Sequence, residues 1–183
     1  MTTIARTWRD LAEMLTLPSL VAAGDSALRL GVAHDELADV VARTGRHRGA
    51  RLARAAVPLL DGRSRSRPES HLRVAVTFPD LPPFDVNVAV SRDGGGWLAE
   101  PDLSNAVAKI ALEYQGEEHA ELGRMRRDLT RFADLRSEAW LVLAYGPAEV
   151  FGRPWQIRAE VRHALLQRVP HLHPRRSRPR VAS

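Results

Sequence analysis

Ala99-Glu100-Pro101-Asp102 and, after an apolar run, Leu112-Glu113-Tyr114-Gln115-Gly116 with His119 just beyond it, set the acids Asp102 and Glu113 against strand-like sequence. Acids are depleted from apolar strands, and an unpaired carboxylate buried in a sheet forfeits much of its hydration. Two such groups are tolerated where a divalent cation or a basic side chain stands between them. Side-chain alternation puts Glu113 and Gln115 on one strand face, with Ile110, Leu112 and Tyr114 on the other. A turn centred near Asn105 or Ala106 leaves Asp102 and Glu113 about three or four residues out of step. At ~3.3 Å per residue that is roughly 10–13 Å, a gap that only a bulge or an asymmetric loop would close.

Around these strands the hydrophobic period predicts the remaining layout. Phe84, Val86, Val88 and Val90 alternate with polar or small residues, a half-buried strand. Arg92-Asp93-Gly94-Gly95-Gly96 marks a turn, a second strand covers about Trp97 to Leu103, Ser104-Asn105 turns the chain, and a third strand covers Val107 to Tyr114. A long helix over Glu118 to Ser137 follows, then a strand over Trp140 to Tyr145 and a final helix over Trp155 to Val169. Upstream, Ser66-Arg67-Pro68-Glu69 reads as a helix start running to about Phe78: Ser as N-cap, Pro in the first turn, Glu returning to the cap. The order after residue 66 is therefore helix, three strands, helix, strand, helix.

Residues 7–60 read as a run of short helices. Thr7 with Asp10 resembles a capping arrangement, Pro18 opens a second helix, and His34 to Thr44 forms a third that Gly45 stops. Arg46 to Leu60 reads as a basic amphipathic helix with Leu52, Ala55, Ala56 and Leu59 opposite Arg48, Arg51 and Arg54. The polar stretch 61–65 is the candidate boundary. The expected division is an N-terminal helical segment (1–62), a main domain (63–169) and a basic, disordered tail (170–183).

The 183 residues suffice for a real core, and the absence of cysteine excludes disulfides and thiolate metal sites. The early charges Arg6, Arg9, Asp10 and Glu13 argue against a signal peptide, and nothing approaches the ~20 apolar residues of a membrane span; a cytoplasmic protein is expected. The net charge of +5 is uneven: residues 43–73 hold nine Arg against two acids, whereas 74–167 hold ten basic residues against fourteen acids. Basic patches suit phosphate backbones, although a composition in which Lys109 is the one lysine also fits GC-rich coding.

The element order, with Pro101-Asp102 on the second strand and Glu113-x-Gln115 on the third, resembles the PD-(D/E)xK nuclease superfamily. Within it the chain is similar to the very-short-patch-repair endonuclease-like group common in actinobacteria, through Arg6-Thr7-Trp8-Arg9-Asp10-Leu11-Ala12, Ser66-Arg67-Pro68-Glu69-Ser70, Glu113 to His119, Arg127-Asp128-Leu129-Thr130-Arg131 and Trp140. Relatives in that group are often linked to abortive-infection antitoxins, and the likeness is to their C-terminal part. The resemblance implies an α/β (α+β) fold: N-terminal short helices, then a restriction-endonuclease-like αβββαβα core with a mixed four-stranded sheet. It implies a metal-dependent DNA endonuclease in which Asp102 and Glu113 hold magnesium (or manganese) and Glu69 reaches the site from the first core helix. Gln115 stands where the superfamily usually has Lys and this group often Asp; an amide accepts from water or ligates weakly, but is neither a base nor a charge. His119 is the implied proton carrier. Ala144 stands where relatives commonly carry Arg. Arg46, Arg48, Arg51, Arg63, Arg65, Arg67, Arg127 and Arg131 are the candidate DNA contacts.

The residues themselves leave alternatives open. Glu113 can be the buried partner of Arg127 or Arg131, Glu69 a helix-capping acid, and His119 a solvated residue at a helix start. The matching rival functions are a degenerate nuclease-fold module that binds DNA or a protein partner in a toxin–antitoxin or phage-defence system, and a structural or oligomerisation domain whose acids only form ion pairs.

Overall fold

The computed structural model describes residues 2–43, 45, 48–116 and 131–169. Arg46, His119, Arg127, most of the expected long helix and the basic tail lie outside them. Four helices open the chain: α1 (Ile4–Leu11), α2 (Leu17–Arg29), α3 (His34–Ala42) and α4 (Ala50–Ala56), the last running into a 3-10 turn at Val57–Leu59. Thr3, not Thr7, caps α1, accepting from the Arg6 N–H at 3.2 Å. Trp8 anchors this bundle: its ring is buried beside Leu20, Val21 and Leu37, and its indole N–H donates to the Leu20 carbonyl at 2.9 Å.

The helix expected from Arg46 starts only at Ala50, and its buried face is Ala50, Ala53 and Ala56, with Ala55 exposed. The cause is Gly49, which has φ +80° and passes so close to α1 that a Cβ there would lie 2.6 Å from the Ala12 carbonyl. Arg48, Arg51 and Arg54 do point outward.

Ser66 caps α5 (Arg67–Ala75) as expected, its Oγ accepting from the Glu69 N–H at 3.3 Å, and the helix ends at Ala75 rather than near Phe78. The stretch 61–65, read as a linker, is woven into a buried polar cluster. Asp25, on α2, accepts from the Asp61 N–H (2.7 Å), the Ser70 hydroxyl (2.6 Å) and the Arg73 guanidinium (2.6 Å). Arg73 also donates to the Ser64 hydroxyl and the Leu59 carbonyl, and Arg29 to the Ser64 carbonyl. The helical bundle is thereby locked to α5.

The chain is mixed α/β, with a mixed four-stranded sheet. Its strands are β1 (Asp85–Val86), β4 (Leu103–Asn105), β5 (Ile110–Tyr114) and β6 (Leu141–Tyr145), in that spatial order. The first two pairings are antiparallel and β5–β6 is parallel. A separate antiparallel ribbon pairs β2 (Val90–Ser91) with β3 (Trp97–Ala99) across the expected glycine turn, where Gly95 and Gly96 have positive φ.

Two expected strands are thus each broken between the two sheets. The first breaks at Asn87, whose φ of +50° leaves the strand region; the second breaks at Glu100-Pro101-Asp102, where proline offers no N–H to a ladder. The hairpin turn also lies later than expected. Asn105 pairs with Ile110, its side-chain oxygen accepts from the Ala108 N–H at 2.9 Å, and Lys109 adopts φ +49°, so β5 begins at Ile110.

One core joins Leu72 of α5, Leu103, Ile110, Leu112 and Tyr145 of the sheet, and Ile157, Val161 and Leu165 of α7 (Pro154–Arg168). A smaller cluster covers Ala111 with Val90, Leu98, Ala99, Trp140 and Leu135, the last from helical residues 131–137 (α6). Between β6 and α7 the chain makes a π-helical turn at Ala148–Gly152. Among the described residues no helix is long and apolar enough to cross a membrane.

Candidate active site

The later turn changes the relation between the two acids. Leu103 faces Leu112 across the hairpin, and continuing that register one step carries Asp102 to the level of Glu113. The expected 10–13 Å offset is therefore removed without a bulge; directly opposed residues of such a pair have Cβ atoms about 5 Å apart. Leu103 and Leu112 belong to the α5–α7 core, so the alternation turns Asp102 and Glu113 to the opposite face, where Ala111 meets α6.

Asp102 sits where the chain leaves β3 for β4, and its Oδ2 accepts from the Tyr114 backbone N–H at 2.8 Å. Its pKa is pushed up to about 6, chiefly by burial; the Glu69 carboxylate adds to the rise, while the Tyr114 N–H, Arg131 and Arg65 oppose it. Asn87 places Glu69 at the same site, its N–H donating to the Asp102 carbonyl at 3.0 Å and its side chain to the Glu69 carboxylate. Glu69 is buried in the first turn of α5, where Oε2 accepts from the Arg65 N–H (2.7 Å) and the Asn87 side chain (2.9 Å). Its carboxylate reaches one residue beyond the expected cap contact.

Glu113, buried in β5, is paired with Arg131 of α6 at 3.3 Å, one of the two partners open from the sequence. Gln115 continues the same face beyond the end of β5, exposed, with its N–H donating to the Tyr145 carbonyl at 2.9 Å. Ala144 lies in register with Glu113 on β6 and brings no charge to it. The structure thus brings Glu69, Asp102, Glu113 and Arg131 to one place.

Of the expected DNA contacts, Arg63, Arg65 and Arg67 are exposed around the start of α5. Arg65 pairs with Glu100 next to Pro101-Asp102, Arg63 with Asp61, and Arg67 lies over the Phe151 ring at 5.2 Å. Arg48 and Arg51 belong to the helical bundle, on or just before α4, and share no element with the acids. Two site neighbours escaped the sequence reading. Asn87 binds Glu69, and the signal was a polar residue with turn preference inside an apolar alternation; Glu100 holds Arg65, and nothing in its context distinguishes it from a surface acid.

Magnesium is held by one or two carboxylates together with waters and substrate phosphate, and Asp102 with Glu113 matches that donor set. Among the described residues no group of three or more His, Cys, Asp or Glu is placed to hold a metal ion, so an all-protein cage is not what these residues form.

The chain is 32% identical over 158 residues to the uncharacterized protein Rv2248 of Mycobacterium tuberculosis (strain ATCC 25618 / H37Rv), a match covering 83% of this chain. The uncharacterized protein MT2308 of Mycobacterium tuberculosis (strain CDC 1551 / Oshkosh) matches to the same extent. The chain spans only 56% of the length of these curated relatives. No family model matches the chain, and no solved structure does.

Proposed function

We propose that this chain is a nuclease of the PD-(D/E)xK type, very-short-patch-repair endonuclease-like, that hydrolyses phosphodiester bonds in DNA at the Glu69–Asp102–Glu113 cluster. The observation that carries the reading is the hairpin register, which levels Asp102 with Glu113 on one face. The order α5, β1, β4, β5, α6, β6, α7 around the mixed sheet supports it, with β2–β3 as an inserted ribbon.

Asp102 and Glu113 would hold the divalent cation, which lowers the pKa of a bound water and balances charge developing on the phosphate. Tyr114 fixes the orientation of Asp102 through its N–H, and Asn87 with the Arg65 N–H fixes Glu69 beside it. Arg63, Arg65 and Arg67 offer positive charge at the rim for the DNA backbone. The magnesium (or manganese) dependence, the DNA substrate and a cytoplasmic setting in repair or defence all belong to this proposal.

Cleavage of plasmid and of branched or mismatched DNA with Mg²⁺ or Mn²⁺ tests it, comparing wild type with Asp102→Ala and Glu113→Ala. Each substitution is expected to lower the rate by about 10²-fold or more, the scale of losing a preorganised charge-stabilising group. Equal cutting by wild type and both variants would assign the activity elsewhere. One observation favours a second reading: Arg131 already neutralises Glu113, as in a degenerate nuclease-fold module that binds DNA or a protein partner in a toxin–antitoxin or phage-defence system. Wild type that binds DNA and cuts none of these substrates would select it.

A further inference from the structure

The proposed site is lined by acids, Glu69, Asp102 and Glu113, which by themselves offer a phosphodiester no attraction. Gln115 and Ala144, which flank Glu113 along β5 and across to β6, are both neutral. Among the described residues the cation paired with Glu113 is Arg131, delivered from α6 at 3.3 Å and electrostatically linked to Asp102 as well. The two members of this pair differ in access: the Glu113 side chain is 4% exposed and that of Arg131 30%. The guanidinium is therefore the face of the pair that an incoming anion reaches first. Its planar fork of donors suits a phosphate as well as a carboxylate, and moving between the two requires rotation of a side chain rather than of the fold.

We propose that Arg131 is the phosphate ligand of this site, held on Glu113 in the free protein and transferred to the bound phosphodiester when nucleic acid arrives. This rests on the proposed nuclease site and adds a role that the Arg131–Glu113 pair alone does not define. If the pair were merely structural, breaking it from either end would have the same consequence. If Arg131 is the ligand, the two ends behave oppositely.

The experiment is equilibrium binding of a short DNA duplex by the full chain without divalent cation, over a range of salt concentrations. It compares wild type, Arg131→Gln, Arg131→Lys, Glu113→Gln and the double variant carrying Glu113→Gln with Arg131→Gln. Arg131→Gln is expected to weaken binding about tenfold and to lower the salt dependence by about one phosphate contact. Arg131→Lys keeps the salt dependence and binds between the two, which separates loss of charge from loss of fold. Glu113→Gln removes the carboxylate that competes with phosphate for the guanidinium and tightens binding, and that gain disappears in the double variant, because it acts through Arg131 rather than through removal of a negative charge.

A gain that survives in the double variant, or equal effects of Arg131→Gln and Glu113→Gln, overturns the proposal. DNA binding with the opposed responses but no cutting removes the nuclease reading and leaves Arg131 as ligand. Cutting with equal responses removes Arg131 and leaves the nuclease. A wild type that binds no DNA without the cation removes Arg131 as ligand and leaves the nuclease reading to the cleavage assay with Mg²⁺ or Mn²⁺.

Discussion

Two carboxylates, Asp25 and Glu113, are buried in one chain among different neighbours. Among the described residues Asp25 meets only donors: the Asp61 N–H, the Ser70 hydroxyl and the Arg73 guanidinium, which in turn holds Ser64 and the Leu59 carbonyl. Glu113 is paired with Arg131 and lies level with a second acid, Asp102, that in turn feels a third, Glu69. Burial alone therefore does not mark a functional acid. A buried charge whose lone pairs are met by its own fold belongs to the architecture, whereas acids gathered so that one raises the pKa of another store unfavourable energy that a ligand can release.

Breaking the architectural cluster gives the largest effect. Asp25→Ala leaves the Arg73 guanidinium buried without its carboxylate, and the expected cost is about 3–5 kcal/mol in urea unfolding. Because Asp25 ties α2 to α5 and to the stretch 61–65, the loss is expected in a single cooperative transition. A separate early transition of the helical bundle would show instead that residue 62 is a true domain boundary.

The site acids should respond with the opposite sign. Asp102 has a folded-state pKa near 6 against its ordinary 3.8, so the folded chain binds this proton more tightly than the unfolded one. The resulting stability is fully present below about pH 4 and is lost as the pH rises through 6. At pH 7 the ionised Asp102 therefore costs up to about 2–3 kcal/mol. Asp102→Asn keeps an oxygen for the Tyr114 N–H and is expected to stabilise the chain by about 2 kcal/mol at pH 7, with the gain vanishing near pH 4. Urea unfolding of both proteins across that range measures it. A loss of stability at pH 7 would place Asp102 with Asp25, as an architectural acid.

How much of this was legible follows the range of the interactions. The α5 start was readable because a cap is local: Ser66, Pro68 and Glu69 satisfy N–H groups within one turn. The facing of Glu113 followed from alternation, and a partner at Arg127 or Arg131 from the need to neutralise a buried acid; the pair with Arg131 took the structure to find. The hairpin register was not readable, since it is set by Asn105 reaching Ala108 and by a left-handed Lys109, contacts that hydrophobic period does not encode. The split strands escaped because Asn87 and Pro101 interrupt alternations that continue in pattern. Asp25 was overlooked although it carried the signal used for Glu113, an acid among apolar residues, here Leu20, Val21, Ala22 and Ala27 of α2.

Ser66 joins the two regions, and its replacement gives the smallest effect. Ser66→Ala removes the Oγ that accepts the Glu69 N–H, a cap worth about 1 kcal/mol. The backbone bond from the Ser70 N–H to the Ser66 carbonyl survives, as do the bonds from Arg65 N–H and Asn87 to the Glu69 carboxylate. Glu69 should therefore stay beside Asp102, and the stability loss should be the same at pH 4 and pH 7. A loss that differs between the two would mean that the cap sets the Glu69–Asp102 repulsion. The architectural cluster at the other end of the same helix turn would then reach the site acids through α5, and the two regions would be one coupled unit.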